Sequence, residues 1–266
     1  MLYPRIIPCL LVHNGGLVKT LQVKNPKYVG DPINAVKIFN EKEVDELMVL
    51  DIDASTNGKE PNYALIENLA FECRMPLCYG GGIKTVQQAS RIFSLGVEKI
   101  AISSLALEDL GIVADIAHEV GRQSVVVVLD VKEDNKGPVY TVYKKNGTIN
   151  TYIDPIGFCK KLEDIGVGEI VINSIDRDGT MAGYDMSLIH QVRDVVSIPL
   201  TALGGASSLD DIGQLIHEYG IIGAAAGSLF VFKGKFRAVL INYPTQSEKE
   251  VLMDKYFKNW FLGVES

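Results

Sequence analysis

The feature that most limits the possible folds is a regular alternation of short apolar segments with longer amphipathic ones. Eight of the apolar segments are rich in Val, Ile and Leu, as are strands covered on both faces of a parallel sheet. The predicted strands are Arg5–Val12, Leu47–Ile52, Leu77–Gly80, Lys99–Ser103, Val125–Asp130, Glu169–Ser174, Pro199–Leu203 and Ile222–Ala226. The helices predicted between and after them are Pro32–Lys42, Pro61–Cys73, Val86–Leu95, Asp109–Val120, Pro155–Ile165, Met186–Val196, Leu209–Glu218 and Phe236–Tyr243.

Eight strand–helix units predict a single closed (β/α)8 barrel of the TIM type, in the α/β class. A chain of 266 residues with 47% hydrophobic content can bury such a core as one domain. The alternative is an open doubly wound sheet, which binds its ligand at one switch point between strands. Residues 245–266 follow the last unit, and we expect a terminal helix on the barrel wall rather than a partner-binding segment.

Two insertions interrupt the alternation, and both follow strand ends. Leu17–Val23 is predicted to be a short strand in the first loop. Val139–Tyr143 and Thr148–Ile153 are predicted to form a hairpin, because Asn146-Gly147 between them is typical of a type I′ turn. Insertions at the carboxyl ends of barrel strands commonly carry function.

Two glycine-rich turns of the same kind lie far apart in the chain. Gly80-Gly81-Gly82 and Gly204-Gly205 each follow an apolar strand and precede a helix, and Gly81 and Gly204 are 123 positions apart. Such turns let the backbone approach a ligand, and the N–H groups of the next helix favour an anion such as phosphate. One such turn alone is weak evidence, since any tight turn uses glycine.

The similarity between the halves extends beyond the glycines. Glu46-Leu47-Met48-Val49 resembles Glu169-Ile170-Val171-Ile172 at the same offset, and Ser104-Leu105 resembles Ser228-Leu229 at an offset of 124. The sequence therefore predicts half-barrels at about 1–120 and 121–243, with a C-terminal extension at 244–266. Each half should bind one phosphate of a substrate phosphorylated at both ends. The expected residues are Gly81, Gly82, Ser103 and Ser104 in one half and Gly204, Gly205, Ala226, Gly227 and Ser228 in the other.

Several charged residues follow predicted strands, where they would enter the barrel mouth. Asp130 ends its strand, so we expect a catalytic acid or base there. Asp51 and Asp178 are candidate substrate contacts, whereas for Asp176 a helix cap or a loop ion pair is about as plausible. Lys19, in the first loop, would contact a phosphate or else remain a solvated lysine.

Four charged residues stand at the opposite ends of the strands. Arg5, Glu46, Lys99 and Glu169 open predicted strands one, two, four and six, and inward-facing side chains there would form a ring at the barrel bottom. Spacing alone favours ordinary ion pairing that fills the bottom layer.

Composition excludes several classes of partner. The formal net charge of −7 argues against nucleic acid and anionic membrane surfaces. The four cysteines have no metal-binding spacing, so we expect reduced thiols, no metal and no cofactor. No segment has the length of a signal peptide or a membrane span, and we expect a cytoplasmic protein.

Four motifs together resemble one known family, the cyclase subunit of imidazole glycerol phosphate synthase. They are the segments Arg5–Leu10, Gly80–Ile83, Ser174–Thr180 and Gly204–Ala206, and the resemblance covers about residues 2–243. It implies a (β/α)8 barrel that binds a ribulosyl-aminoimidazole ribonucleotide with a phosphate at each end, with Gly179 and Thr180 at the substrate site. It also implies a separate glutaminase on the barrel's N-terminal face and ammonia passing through the barrel to give imidazole glycerol phosphate, for histidine synthesis. In that family Arg5, Glu46, Lys99 and Glu169 form an ammonia gate.

The chain departs from this family at the mouth. The family has two catalytic aspartates, and the first falls on Leu11, a degenerate position here. Internal symmetry agrees, because Leu10-Leu11-Val12 superposes on Leu129-Asp130-Val131. Thr20 and Ser103 replace a glycine and an asparagine of the family. Together with Leu11-Val12, the segment Pro26–Pro32 resembles a paralogous branch associated with surface polysaccharide (lipopolysaccharide) genes, a glutaminase and a sugar amidotransferase. Two functions therefore remain open: a weakened cyclase, or a barrel that delivers ammonia to a sugar-modifying partner.

Overall fold

The computed structural model describes residues 3–134, 139–234 and 236–261 of the chain. The strands are β1 (Arg5–His13), β2 (Gly16–Leu21), β3 (Lys24–Gly30), β4 (Leu47–Asp51), β5 (Leu77–Gly80), β6 (Lys99–Ile102), β7 (Val125–Glu133), β8 (Tyr140–Lys144), β9 (Ile149–Asn150), β10 (Glu169–Ser174), β11 (Leu200–Leu203), β12 (Gly223–Ala226), β13 (Phe232–Lys233) and β14 (Ala238–Val239). The helices are α1 (Pro32–Glu41), α2 (Tyr63–Glu72), α3 (Val86–Ser94), α4 (Ser104–Glu108), α5 (Leu110–Val120), α6 (Pro155–Asp164), α7 (Met186–Arg193), α8 (Leu209–Tyr219), α9 (Ser228–Val231), α10 (Gln246–Leu252) and α11 (Lys258–Phe261).

Eight parallel strands close into a barrel, in the order β1-β4-β5-β6-β7-β10-β11-β12, with β12 paired back to β1. The closure is in register from Arg5↔Gly223 to Pro8↔Ala226. The (β/α)8 prediction is confirmed, and the open-sheet alternative is excluded. Within the three described ranges, no helix is both long and apolar enough to cross a membrane.

The barrel has two apolar layers because successive side chains of a strand point to opposite faces. In β1, Ile6 and Leu10 pack outward against the helices, whereas Ile7 and Cys9 pack inside the barrel. The inner layer is continuous and apolar; its fully or nearly buried members are Ile7, Cys9, Met48, Cys78, Ala101, Val126, Val128, Val171 and Ala225.

Side-chain caps fix where several helices begin. Asp31 accepts a hydrogen bond from Asn34 N and precedes Pro32, which suits the first turn of α1. Ser208 opens α8 with a capping box completed by Asp211. These helices begin within a residue of the predicted positions, since the capping residues are readable in the sequence.

The prediction of an eighth helix over Phe236–Tyr243 is wrong. The chain turns at Gly234, with φ of +72°, and Ala238–Val239 forms β14, which pairs antiparallel with β13. Beyond β14 the chain has no regular secondary structure as far as Tyr243, whose hydroxyl donates to Ile6 O at 2.9 Å. The apolar residues at helical spacing do not face the core: Phe236 is 92% exposed and Leu240 is 51% exposed.

The C-terminal segment provides the missing helical layer, as predicted for the extension. Helix α10, a π-helical turn and α11 run in succession and contact α8. A Cβ atom at Gly213 or Gly220 would collide with the rings of Tyr256 and Trp260, respectively. The two glycines therefore allow the segment to pack closely on α8.

The first insertion is larger than predicted. The expected short strand is β2, which pairs antiparallel with β1, and an unpredicted strand, β3, pairs with β2. The second insertion is the predicted hairpin: Lys144 pairs with Ile149, and Asn146 and Gly147 have φ of +54° and +68°. Both positive values are those of a type I′ turn.

Candidate functional site

The carboxyl ends of the barrel strands surround one large pocket, here called the mouth, of about 1310 Å³ including space open to solvent. Closure of the barrel brings most of the predicted site residues together there. The mouth is lined by Leu11, Lys19, Asp51, Gly81, Gly82, Ser103, Ser104, Asp130, Asp178, Gly179, Gly204, Gly205, Ala226, Gly227 and Ser228.

Two predicted residues do not line the mouth. Asp176 accepts a hydrogen bond from Glu133 N at 2.9 Å and so fixes the end of β7. Thr180 donates its hydroxyl proton to Arg177 O at 2.7 Å, within its own turn. Both contacts order the loop after β10.

The glycine turns have the backbone conformation that only glycine adopts easily. The φ angles are +131° at Gly81, +75° at Gly82, +95° at Gly204 and +104° at Gly205. A Cβ atom at Gly81 would lie 2.6 Å from Asp51 O, so glycine also permits close packing of the neighbouring loop.

The predicted serine turns are the short helices α4 and α9, which follow β6 and β12 at equivalent places. Within the described part of the chain, the N–H groups of Ser103, Ser104, Gly227 and Ser228 have no hydrogen-bond partner. Gly82 N donates weakly to Ser55 Oγ, at 3.4 Å. Both short helices therefore begin with unpaired backbone donors at the mouth.

Asp130 lies at the end of β7, beside a residue that the sequence analysis missed. Asn173 Nδ2 donates to Asp130 Oδ1 at 2.8 Å, and the two residues pair in the register of β7 and β10. Burial raises the pKa of Asp130 to about 6, and the negative charge of Asp178 adds to the increase. The hydrogen bond from Asn173 acts in the opposite direction and lowers this pKa. Asp130 can therefore hold or release a proton near neutral pH.

Asn173 retains an unused acceptor. Its side chain is 7% exposed, and its Oδ1 atom has no hydrogen-bond partner in the described ranges. The sequence does indicate that Asn173 faces inward, because it stands two positions beyond the inward-facing Val171. It was missed because an asparagine at a strand end usually indicates a turn.

Leu11 occupies the equivalent inward-facing end of β1. It lines the mouth and packs with Leu50 and Leu203 on the apolar inner layer. It pairs with Val18 of β2 on one side and with Leu50 of β4 on the other. The inward-facing end of β1 is thus apolar, whereas the equivalent position of β7 carries the carboxylate of Asp130.

Lys19 is buried, and its Nζ atom donates to Cys9 O across the first loop. A Cβ atom at Gly227 would collide with this ammonium group, so Lys19 lies directly over the start of α9. Burial lowers the pKa of Lys19, opposed by Cys9 and Asp178. A bound phosphate would pair with this ammonium group and offset the cost of burying it.

The other two aspartates of the mouth bind backbone and loop groups. Asp51 Oδ1 accepts from Asp53 N at 2.9 Å and from Ala54 N at 3.2 Å, and burial raises the pKa of Asp51. Asp178 Oδ2 accepts from the Thr20 hydroxyl at 2.7 Å and from Val23 N at 2.9 Å. Asp178 thereby joins the β2–β3 hairpin to the loop after β10.

The predicted charged ring forms at the barrel bottom. Arg5 donates to Glu46 and, at 2.7 Å, to Glu169, while Lys99 Nζ donates to each glutamate at 2.9 Å. Cations and anions alternate, so each carboxylate is bound by both cations. Glu46 and Glu169 are almost fully buried, at 3% exposure each.

The charged residues of the ring stabilise one another's charges through their ion pairs. Burial works to raise the pKa of Glu169, but Arg5, Lys99 and the hydroxyl of Thr201 together lower it below its usual range. Burial also opposes the charge on Lys99, yet Glu169 and Glu46 raise its pKa. Glu169 and Lys99 therefore stay ionised at neutral pH. Removing one partner would leave a buried charge uncompensated.

Metal-binding clusters are absent from the described ranges, where no group of three or more His, Cys, Asp or Glu residues is placed to hold an ion. The four cysteines are unpaired.

Comparisons with known proteins agree with this geometry. A family model described as "Histidine biosynthesis protein" matches residues 5–237. The chain is 56% identical over 254 residues to a putative imidazole glycerol phosphate synthase subunit hisF3 of Vibrio vulnificus, covering 96% of this chain and 98% of that one. It is 56% identical over 252 residues to a putative subunit HisF of Leptospira interrogans, with 95% and 99% covered. It is 40% identical over 230 residues to the imidazole glycerol phosphate synthase subunit HisF of Lactococcus lactis, with 86% and 89% covered.

The raised pKa of Asp130 predicts an effect on stability. Its pKa of about 6 in the folded protein lies above the ordinary aspartate value of about 3.8, so ionisation of the folded protein costs free energy as the pH rises through about 4 to 6. Asp130→Asn removes that cost and retains an acceptor for Asn173. We expect the variant to be more stable than wild type at pH 7, by up to about 3 kcal/mol, and no more stable near pH 3. Urea unfolding at both pH values measures this, and equal gains at both would contradict the assigned cause.

Proposed function

We propose that this chain, which belongs to the family of histidine biosynthesis proteins, is the cyclase subunit of an imidazole glycerol phosphate synthase. The observation that supports this function most directly is the position of Asp130, an acid or base with a pKa of about 6, in a mouth with glycine turns on both sides. The substrate is the ribulosyl-aminoimidazole ribonucleotide, and the products are imidazole glycerol phosphate and an aminoimidazole carboxamide ribotide.

Asp130 would move protons in this reaction. Ammonia must lose protons as it becomes a ring nitrogen, and the ribotide that leaves must gain one. A carboxyl group of pKa about 6 accepts and returns a proton at nearly equal cost at neutral pH. Its hydrogen bond to Asn173 holds Oδ1 in place and leaves Oδ2 for the substrate.

The two phosphates of this substrate would bind at the two glycine turns. One would contact Gly82, Ser103 and Ser104, and the other Gly205, Gly227 and Ser228. Unpaired backbone N–H groups in both places support this assignment, as does the proposed division into half-barrels at about 1–120 and 121–243.

Crystals grown in phosphate should contain one ion at each turn. The expected contacts are the N–H groups of Ser103 and Ser104 at one and of Gly227 and Ser228 at the other, at about 2.7–3.2 Å. Replacing Gly82 with Val should remove the first ion only, because a side chain there would collide with Lys59 O. Phosphate absent from both turns at saturating concentration would contradict the proposal.

Ammonia would reach the mouth from the opposite face. The charged ring closes the bottom, and above it the inward-facing residues Ile7, Cys9 and Leu11 lead along β1 to the mouth. An apolar passage suits neutral ammonia and excludes ammonium, whose charge would lose its hydration there. We propose that a glutaminase subunit docks at this bottom face, in the cytoplasm, and supplies the ammonia.

Leu11 limits the proposed chemistry. A carboxylate at the end of β1 would act across the substrate from Asp130, and leucine cannot exchange a proton. Losing one positioned acid or base typically costs about 10²–10⁴ in rate. The cyclase should therefore be slow.

Leu11 also supports a second candidate function. A barrel that binds the glutaminase and conducts ammonia needs the ring and the apolar passage, but no second carboxylate at the mouth. In this alternative the chain passes ammonia to a sugar amidotransferase that makes an acetamidino sugar for a surface polysaccharide, and the mouth does not cyclise its ligand.

Turnover with the ribulosyl intermediate and ammonium distinguishes the two candidates. For a cyclase, wild type should be slow, and Leu11→Asp should raise kcat at least about tenfold because a second proton-transfer group is restored. Leu11→Asn is the matched control, similar in size and without an acidic proton, and should give no gain.

The alternative predicts no turnover in any of the three proteins, with phosphate binding intact. Wild-type turnover equal to that of a two-aspartate enzyme would contradict the assigned effect of Leu11 and would point to Asp51 or Asp178 as the second group.

A further inference from the structure

The mouth lacks sufficient positive charge for a ligand with two phosphates. Among the described lining residues, Lys19 and Lys145 face three aspartates, Asp51, Asp130 and Asp178. A bisphosphate carries up to four negative charges, so these residues alone would repel it. Cations immediately outside the lining must therefore contribute to binding.

One such cation stands at the second glycine turn. Arg237 is placed by the β13–β14 hairpin, the segment whose helix prediction was wrong. Its Nη2 atom donates to Gly179 O at 3.1 Å and to Ser228 Oγ at 3.4 Å, and both acceptors line the mouth. The guanidinium group thus directly adjoins the proposed phosphate position.

An aromatic ring fixes the position of this guanidinium group. Arg237 Cζ lies 4.8 Å from the ring centroid of Phe232, and Lys27 Nζ of β3 lies 5.5 Å from the same centroid. Each cation is attracted to the ring face. Two positive charges from two different hairpins therefore flank the ring of Phe232, and that of Arg237 adjoins Ser228.

The guanidinium group of Arg237 has further hydrogen-bond donors available for a ligand. Its Nε and Nη1 groups have no hydrogen-bond partner in the part of the chain that the structure describes. A guanidinium fork binds two phosphate oxygens at once, which a lysine cannot do. Arg177, the other arginine near Gly205, donates instead to Ala182 O at 3.1 Å, which does not line the mouth.

We propose that Arg237 binds the substrate phosphate at the second glycine turn, with Lys27 adding its charge. The inference rests on the proposed function for the identity of the substrate and adds a residue to its site. No arginine is among the described residues that line the mouth, so the guanidinium marks one end of it. The two phosphates of the substrate would then be distinguished, and the ligand would bind in one orientation.

Binding of inorganic phosphate tests the assignment without any turnover. Amide chemical shifts of Gly81 and Gly82 report the first turn, and those of Gly205 and Gly227 report the second. We expect Arg237→Gln to weaken phosphate binding about 10- to 100-fold at the second turn and to leave the first unchanged. Arg237→Lys should retain part of the affinity, because the charge remains and the fork is lost.

Arg91→Gln is the matched control, since Arg91 also stacks on an aromatic ring, 3.7 Å from the centroid of Tyr63. It should not change binding at either turn. Equal affinity in wild type and Arg237→Gln would overturn the proposal, as would a larger loss in Arg177→Gln. A loss at both turns, with a lowered unfolding midpoint in Arg237→Gln and Arg237→Lys alike, would reveal a structural role and also overturn it.

Kinetics separate this inference from the proposed function. If the chain is a cyclase, Arg237→Gln should raise KM for the ribulosyl intermediate about 10- to 100-fold, with a smaller change in kcat. If wild type does not turn over this substrate while Arg237→Gln still loses phosphate at the second turn, the proposed function fails and the assignment of Arg237 stands.

Discussion

The pairing of β12 with β1 closes the parallel sheet, and both the mouth and the charged ring depend on this closure. Parallel strands that share a register bring all their carboxyl ends to one side and all their amino ends to the other. The period of two along each strand then fixes what faces inward. In β1 the inward positions are Arg5, Ile7, Cys9 and Leu11, which belong to the ring, the apolar layer and the mouth in turn.

Buried charge is treated differently at the two ends of the barrel. At the bottom, Glu46 and Glu169 are each bound by two cations, and this pairing lowers the pKa of Glu169 although its side chain is almost fully buried. At the mouth, Asp130 accepts a hydrogen bond from the neutral amide of Asn173 and forms no ion pair with a described residue, and burial raises its pKa to about 6. Carboxylates paired with cations are poor proton acceptors, whereas a carboxyl group of raised pKa suits proton transfer. Leu11, at the equivalent end of β1, has no group that can exchange a proton.

The features that follow from periodicity along the chain could be predicted from the sequence, whereas those that depend on tertiary contacts could not. Eight apolar segments specified the barrel, and Asp130 and the ring followed from their positions on strands. Phe236, Val239, Leu240 and Tyr243 have helical spacing, yet the chain turns at Gly234 and leaves three of them exposed. Strand β3 has few apolar residues and forms only because β2 offers an edge. Asn173 gains its importance from Asp130, which is distant in sequence, and Arg237 reaches Ser228 only because the β13–β14 hairpin folds back.

We propose that ammonia enters through the charged ring and is used at the mouth. Glutamine labelled with ¹⁵N in its side-chain amide tests it, supplied with the cognate glutaminase, the ribulosyl intermediate and an excess of unlabelled ammonium. We expect the imidazole product to carry far more ¹⁵N than the ammonium pool, and Lys99→Met, which opens the ring, to lower this enrichment. Product with the same ¹⁵N fraction as the ammonium pool would show instead that ammonia reaches the mouth from solution, and would exclude passage through the ring.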